Sequence, residues 1–113
     1  MGNQPPGLRW TKPGEAKRLQ ANLLDFESAS KAGREAQALS DPNRLTLMAV
    51  LAEAGKTCVG DLCLITEREQ AGVSRHLRIL LDAGLVRSQR FERLNVYRLS
   101  ERGQQLLSML LGE

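Results

Sequence analysis

The sequence predicts a mainly α-helical domain that ends in a small β-hairpin, and three observations carry that prediction. Apolar residues recur at helical spacing along most of the 113-residue chain. One such stretch sets Val73, Leu77, Leu80 and Leu81 on an apolar side, with Gln70, Ser74, Arg75 and Arg78 opposite. Directly after it come two β-prone runs, Leu85-Val86-Arg87-Ser88 and Asn95-Val96-Tyr97-Arg98, with Arg90 to Leu94 between them. A polar-faced helix followed by a basic hairpin outlines a winged helix-turn-helix. About five helices and a two-stranded wing are expected.

The elements follow in order. Residues 1–14 hold three of the four prolines and three glycines, which predicts a flexible arm, with residues 15–113 forming the folded domain. Residues 15–39 read as helix, with Leu19, Leu23, Phe26 and Ala29 as one stripe and Gly33 as a place to bend or break. Asp41-Pro42 starts the next helix: aspartate caps free N–H groups and proline suits the first helical position. That helix runs over 43–54 with Leu45, Leu47, Met48, Val50 and Leu51 as a broad buried face, which makes it central, and Gly55 stops it. Residues 57–66 carry Val59, Leu62 and Ile65 at helical spacing and read as a short helix. A turn at 66–68 then leads to Glu69, whose charge favours the next helix N-terminus. Gly84 ends that helix, because glycine takes the left-handed conformation. Ser100 caps a last helix in which Leu106, Leu107, Met109, Leu110 and Leu111 are too many for one face of a small monomer. Pairing with the N-terminal helix and a two-fold copy is therefore expected, through Leu19, Leu23, Phe26, Leu107, Leu110 and Leu111.

Composition narrows the function. The formal charge is +3 and pI about 9.2, compatible with a polyanion partner. Every lysine-or-arginine position beyond Thr66 is arginine, so the charge gathers on the polar-faced helix and hairpin. No apolar run approaches the roughly 20 residues of a membrane helix, and no signal core opens the chain, so a cytoplasmic protein is expected. Catalysis is not expected: the lone histidine, His76, lies in the polar-faced helix, and no phosphate-binding glycine loop is present.

An α-helix fits the DNA major groove, and polar or basic side chains near its N-terminus meet base edges. Gln70 suits adenine, Ser74 is permissive, and Arg75 and Arg78 suit guanine or phosphates. Gly72 lets the backbone approach closely, at a helix cost of about 1 kcal/mol. Arg90 and Arg93 suit the adjacent minor groove or its phosphates. His76 is also a candidate DNA-binding residue of this helix, though it reads first as a structural residue bonding across the turn and second as a base reader. A two-fold dimer would read a pseudo-palindromic operator with half-sites about one helical turn apart.

Cys58 and Cys63 stand five residues apart. Within one regular helix they would point about 140° apart, and they converge only if Cys58 precedes the helix or its first turn unwinds. Three readings stay open: a site for a thiophilic ion such as arsenic(III) or antimony(III), a redox or reactive-sulfur sensor, and ordinary packed cysteines. No cofactor is certain. A dimeric adaptor binding another protein is the reading from a different class.

The sequence resembles the ArsR/SmtB family of transcriptional repressors. Ala38-Leu39-Ser40-Asp41-Pro42-Asn43-Arg44-Leu45, Cys58-Val59-Gly60-Asp61-Leu62-Cys63, Val73-Ser74-Arg75-His76-Leu77, Gly84-Leu85-Val86 and Val96-Tyr97-Arg98-Leu99-Ser100 carry the resemblance, in family order. It implies a homodimeric winged helix that represses an operator and lets go when an effector binds. Gly60 stands where many arsenic sensors of that family have a middle cysteine, and Glu92 where the wing normally has glycine. The histidine and carboxylate set of its zinc and nickel sensors is missing from the last helix, and no N-terminal cysteine builds the site of its cadmium and lead sensors.

Overall fold

The computed structural model describes residues 7–112, which fall into two compact units divided between Ser30 and Lys31. Among the described residues, six helices and a three-stranded sheet run α1 (Pro13–Ala21), α2 (Phe26–Ala38), α3 (Pro42–Ala54), β1 (Thr57–Cys58), α4 (Val59–Thr66), α5 (Gln70–Asp82), β2 (Val86–Phe91), β3 (Leu94–Leu99) and α6 (Glu101–Leu111). This is the mainly α winged helix-turn-helix that the sequence predicts, with one more helix and one more strand.

The extra helix comes from a break at residues 22–25 rather than at Gly33. Asn22 bonds its amide back to the Arg18 carbonyl at 3.0 Å, and Asp25 accepts from the Ser28 N–H at 2.7 Å. Short polar side chains that bond nearby backbone compete with a continuous helix, and here they end one and begin another. Gly33 lies unbroken inside α2. The stripe Leu19, Leu23, Phe26 and Ala29 therefore spans two helices and a linker. The expected arm of 1–14 is shorter on the described side, since Pro13 already opens α1; residues 1–6 lie outside the described residues.

In the second unit α3 packs against α4, α5, α6 and β3. Leu47, Met48 and Leu51 of α3 join Leu62, Val73, Leu77, Leu80, Leu85 and Val86 in one buried cluster. Fully burying each such side chain contributes on the order of 2 kcal/mol. Leu107 belongs to this cluster at 3% exposure, so its expected place at a partner surface is corrected: α6 turns it toward its own chain's core. Met109, Leu110 and Leu111 remain exposed.

The caps are those the sequence marks. Asp41 accepts from the N–H groups of Asn43 and Arg44, and Ser100 from that of Gly103. Gly84, at φ 76°, follows α5; its N–H bonds Leu81 and that of Leu85 bonds Leu80, which satisfies the last carbonyls. At the start of α6 the chain is unusually close: a Cβ on Gly103 would sit 2.1 Å from the Leu85 carbonyl oxygen. Ser100 closes the same junction, donating its hydroxyl to the Gly84 carbonyl at 2.7 Å.

Strand β1 is the element the sequence reading missed. Thr57 and Cys58 pair antiparallel with Tyr97 and Val96 of β3, giving the order β1-β3-β2. Two residues are too few to show a period, and the helical spacing of Val59, Leu62 and Ile65 absorbs them.

Candidate nucleic-acid interface and thiol pair

Helices α4 and α5 are joined by three residues, and the joint has a defined geometry. Glu67 takes a left-handed conformation, φ 56°, and the Arg68 N–H reaches back to the Cys63 carbonyl at 3.1 Å. The chain reverses over α4's last carbonyls and enters α5. Val73, Leu77 and Leu80 anchor α5 in the core, which leaves Gln70, Ser74, Arg75 and Arg78 exposed along its outer face. Arg78 is 3.5 Å from Asp82, an exposed pair of small energetic weight. Arg75 makes no ion pair among the described residues. Gly72 is half-buried, with nothing within 4 Å of where a Cβ would stand.

His76 is set apart from these. Half-buried, it places Nδ1 3.3 Å from the Arg44 guanidinium. Arginine only donates, so Nδ1 accepts and the ring proton resides on Nε2. Arg44 itself is buried and holds the end of α2, donating to the Ala38 carbonyl at 2.8 Å and the Gln37 carbonyl at 2.9 Å. These are among the last carbonyls of α2, which lack partners within the helix. One arginine thus ties α2, α3 and α5 together, and the sequence reading saw it only as part of a motif. His76 is thereby engaged on its Nδ1 side with a neighbouring helix.

The wing is longer and tighter than the sequence reading allowed: only Glu92 and Arg93 separate the paired residues Phe91 and Leu94. Glu92 has φ 57°, a conformation that favours glycine and costs other residues roughly 1 kcal/mol. In-register residues share a face, and Val86 with Leu99 faces the core. Arg90 with Asn95 therefore continues the core-side face, beyond the core's edge. Arg87 and Arg98 stand directly opposite each other on the other face, both exposed and without an ion pair among the described residues. Like charges so placed repel, so this pair is a concentration of positive potential that structure alone does not relieve. Counting outward from a two-residue turn would have found it.

The two cysteines are free and half-buried. Cys58 lies on β1 and is the N-cap of α4 in an extended conformation, φ −98° and ψ 168°; Cys63 lies within α4. Cys58 thus precedes the helix, which is the arrangement the spacing requires for convergence. The donor set is two soft sulfurs, suited to a thiophilic ion. Among the described residues no third histidine, cysteine or carboxylate joins them in a group able to hold a metal ion.

One further ionic contact fixes the frame. Glu35 of α2, buried, accepts two hydrogen bonds from the Arg102 guanidinium of α6, each 3.0 Å long. Those bonds hold the Glu35 carboxyl below the usual glutamate range, against the opposing effect of burial.

Comparison with known proteins agrees with this geometry. A family model described as "Bacterial regulatory protein, arsR family" matches residues 41–88. An arsenical resistance operon repressor of Bacillus subtilis is 52% identical over 50 residues, 44% of this chain and 48% of that protein. The chain thus spans about half the length of that relative. The HTH-type transcriptional regulator NmtR of Mycobacterium tuberculosis is 38% identical over 85 residues, 75% of this chain and 70% of that protein. A homodimeric winged helix-turn-helix DNA-binding domain from Mycobacterium bovis superposes with a TM-score of 0.70 at 25% identity, over 79% of this chain and 84% of its own. No helix among the described residues is long and apolar enough to cross a membrane.

Proposed function

This chain belongs to the arsR family of bacterial regulatory proteins, and from that premise we propose that it is a homodimeric DNA-binding transcriptional repressor released by a thiophilic effector. The exposed face of α5 carries the reading: Gln70, Ser74 and Arg75 are exposed, Arg75 makes no ion pair among the described residues, and the wing that follows presents Arg90 and Arg93. In the major groove Arg75 takes guanine or a phosphate and Gln70 takes adenine, while the wing grips the neighbouring backbone. Two-fold pairing through Leu19, Leu23, Phe26, Leu110 and Leu111 sets the spacing of two half-sites. The exposure of those five side chains supports it, as does the homodimeric Mycobacterium bovis domain.

The effector reading rests on the cysteines and on the named role of the Bacillus subtilis relative. Arsenic(III) or antimony(III) would replace the thiol protons of Cys58 and Cys63, with an outside thiol, water or the second subunit completing the coordination. Cys58 sits on the strand paired with β3, and Cys63 on the helix that leads into α5. Drawing both sulfurs to one ion displaces the start of α4 and transmits strain to the wing and to α5. The test is operator binding, by fluorescence anisotropy on the promoter of the chain's own operon. Log affinity should fall with log salt at about 0.9 per phosphate contacted. Arg75→Ala and Arg93→Ala should each weaken binding about tenfold. Arsenite or antimonite should release the operator from the wild type and not from Cys58→Ser or Cys63→Ser. A flat salt series sinks the DNA reading, and equal release in both variants sinks the effector reading.

A two-thiol sensor of oxidants is the second reading, favoured by two cysteines that are both free and half-buried. Release by peroxide, reversed by dithiothreitol and lost in either serine variant, selects it over the metalloid.

A further inference from the structure

We propose that the cleft between α3, the α4–α5 turn and the leading turn of α5 binds a small amphipathic anion, and that this ligand competes with the operator backbone. The cavity measures about 430 Å³, within the range of small-molecule sites. Its floor is apolar, Leu47, Val50 and Val73, with Ile65, 57% exposed, at the edge. Its rim carries Asn43, Arg68 and His76.

Three features specify an anionic head. Arg68 makes no ion pair among the described residues. Gly72, on the cleft, lies in the first turn of a 13-residue helix, so its N–H has no intrahelical acceptor, and Glu69 provides no side-chain cap. Uncapped helix starts of this kind favour negative charge. His76 keeps Nε2–H as a donor, because its Nδ1 accepts from Arg44. The hydroxyls of Thr46 and Thr66, also on the cleft, already donate to the Pro42 and Leu62 carbonyls, so they offer only lone pairs. Glu69 is the opposing charge on the rim.

The apolar floor decides between ligand classes. A DNA phosphate would satisfy the rim and leave the floor empty, whereas a carboxylate on an aromatic or aliphatic body fills both. Gly72 is what opens the site: nothing lies within 4 Å of its absent Cβ, so a side chain there projects into free space. Ligand binding to the free protein stands by itself. The competition rests on the proposed DNA reading, since the ligand's head and an operator phosphate would share the Gly72 N–H and the Arg68 guanidinium.

The probe is naphthalene-1-carboxylate, with naphthalene-1-carboxamide as its uncharged match, titrated into the full-length ¹⁵N-labelled chain. Amide shifts should concentrate at Thr46, Thr66, Arg68 and Gly72, with the carboxylate binding about tenfold tighter than the carboxamide. Gly72→Leu and, separately, Val50→Phe should weaken the carboxylate about tenfold, with circular dichroism confirming that each variant folds. Shifts centred elsewhere, equal binding of both probes, or unaltered affinity in both variants would overturn the site. With operator present, the carboxylate should displace it from the wild type and fail to do so from Val50→Phe, relative to that variant's own operator affinity. Binding without displacement overturns the competition alone. No operator binding at all overturns the DNA reading and leaves the ligand titration to be judged separately. If the carboxylate does not bind while Arg68→Ala lowers the salt slope of operator binding, the cleft is a phosphate seat only and the proposal is wrong.

Discussion

The two compact units treat their apolar residues in opposite ways. In residues 31–113 Leu47 and Leu51 of α3, Leu62 of α4 and Leu77 and Leu80 of α5 close on one another, and Leu62, Leu80 and Leu85 have no exposed surface, while Leu64 of α4 stays 80% exposed. In the described part of residues 1–30, α1 buries nothing, and Leu23, Leu24 and Phe26 are 74%, 68% and 86% exposed. Both stretches carry apolar side chains at helical spacing. Periodicity therefore identifies a face that needs cover without saying which chain covers it. The first set is a core; the second is a surface that folding of its own unit leaves open.

The sharpest way to break that contrast is to strike the closed unit where it is tightest. Gly103→Ala puts a methyl group 2.1 Å from the Leu85 carbonyl oxygen, which only a backbone shift relieves. Chemical denaturation should show a loss of about 3 kcal/mol or more. A loss below about 1 kcal/mol would mean that the junction of α6 with β2 is loose and the closed unit less closed than described.

Gly103 was not legible in the sequence, and the reason is general. A glycine in a helix reads as a weak point unless the element it touches is known, and Leu85 lies 18 positions earlier. What was legible was local: Asp41 and Ser100 as caps, Gly55 and Gly84 as stops, the core side of α5 at Val73, Leu77 and Leu80. Each of these depends on neighbours within a turn or two. Arg44 and the β1–β3 pairing depend on chain brought from a distance, whereas the facing Arg87 and Arg98 depend only on the register of the hairpin turn, and the sequence reading missed all three. The family resemblance repeats the winged helix-turn-helix outline that the polar-faced helix and the basic hairpin already draw. Leu107 shows the limit of composition: five large apolar residues crowd the end of α6, and only the fold says which one turns inward.

A smaller effect tests how α2 and α6 are held. Glu35→Gln removes the charge that Arg102 grips. In the wild type the Glu35 carboxyl lies below its ordinary value of 4.5. A depressed folded value gives stability that is present above the unfolded value and lost as pH falls through the folded one. The variant should therefore melt below the wild type at neutral pH, and the gap should close between about pH 5 and pH 3. A gap independent of pH would assign the loss to packing instead of charge.

Glu67→Gly should act in the opposite direction. Its left-handed conformation suits glycine, so the variant should gain about 1 kcal/mol, measured as a shift of the urea midpoint at unchanged m value. Because Glu67 forms the joint between α4 and α5, the same measurement shows whether the reading helix is held by a strained or a relaxed turn. No gain, or a loss, would indicate that the Glu67 side chain contributes something its exposed position does not show.

The smallest expected effect on folding is the most telling for the open unit. Leu23→Glu changes a side chain that is 74% exposed, so unfolding of the dilute chain should move by less than about 0.5 kcal/mol. A leucine that belonged to its own chain's core would cost several times that on becoming charged. At high concentration the same substitution should lower the dimer fraction in sedimentation equilibrium, because each copy would bring a charge into an apolar two-fold contact. Normal folding with lost association places the N-terminal leucines at a partner surface. Lost folding in the dilute chain would make them part of an internal core after all, and unchanged association would leave their exposure to some other partner than a second copy.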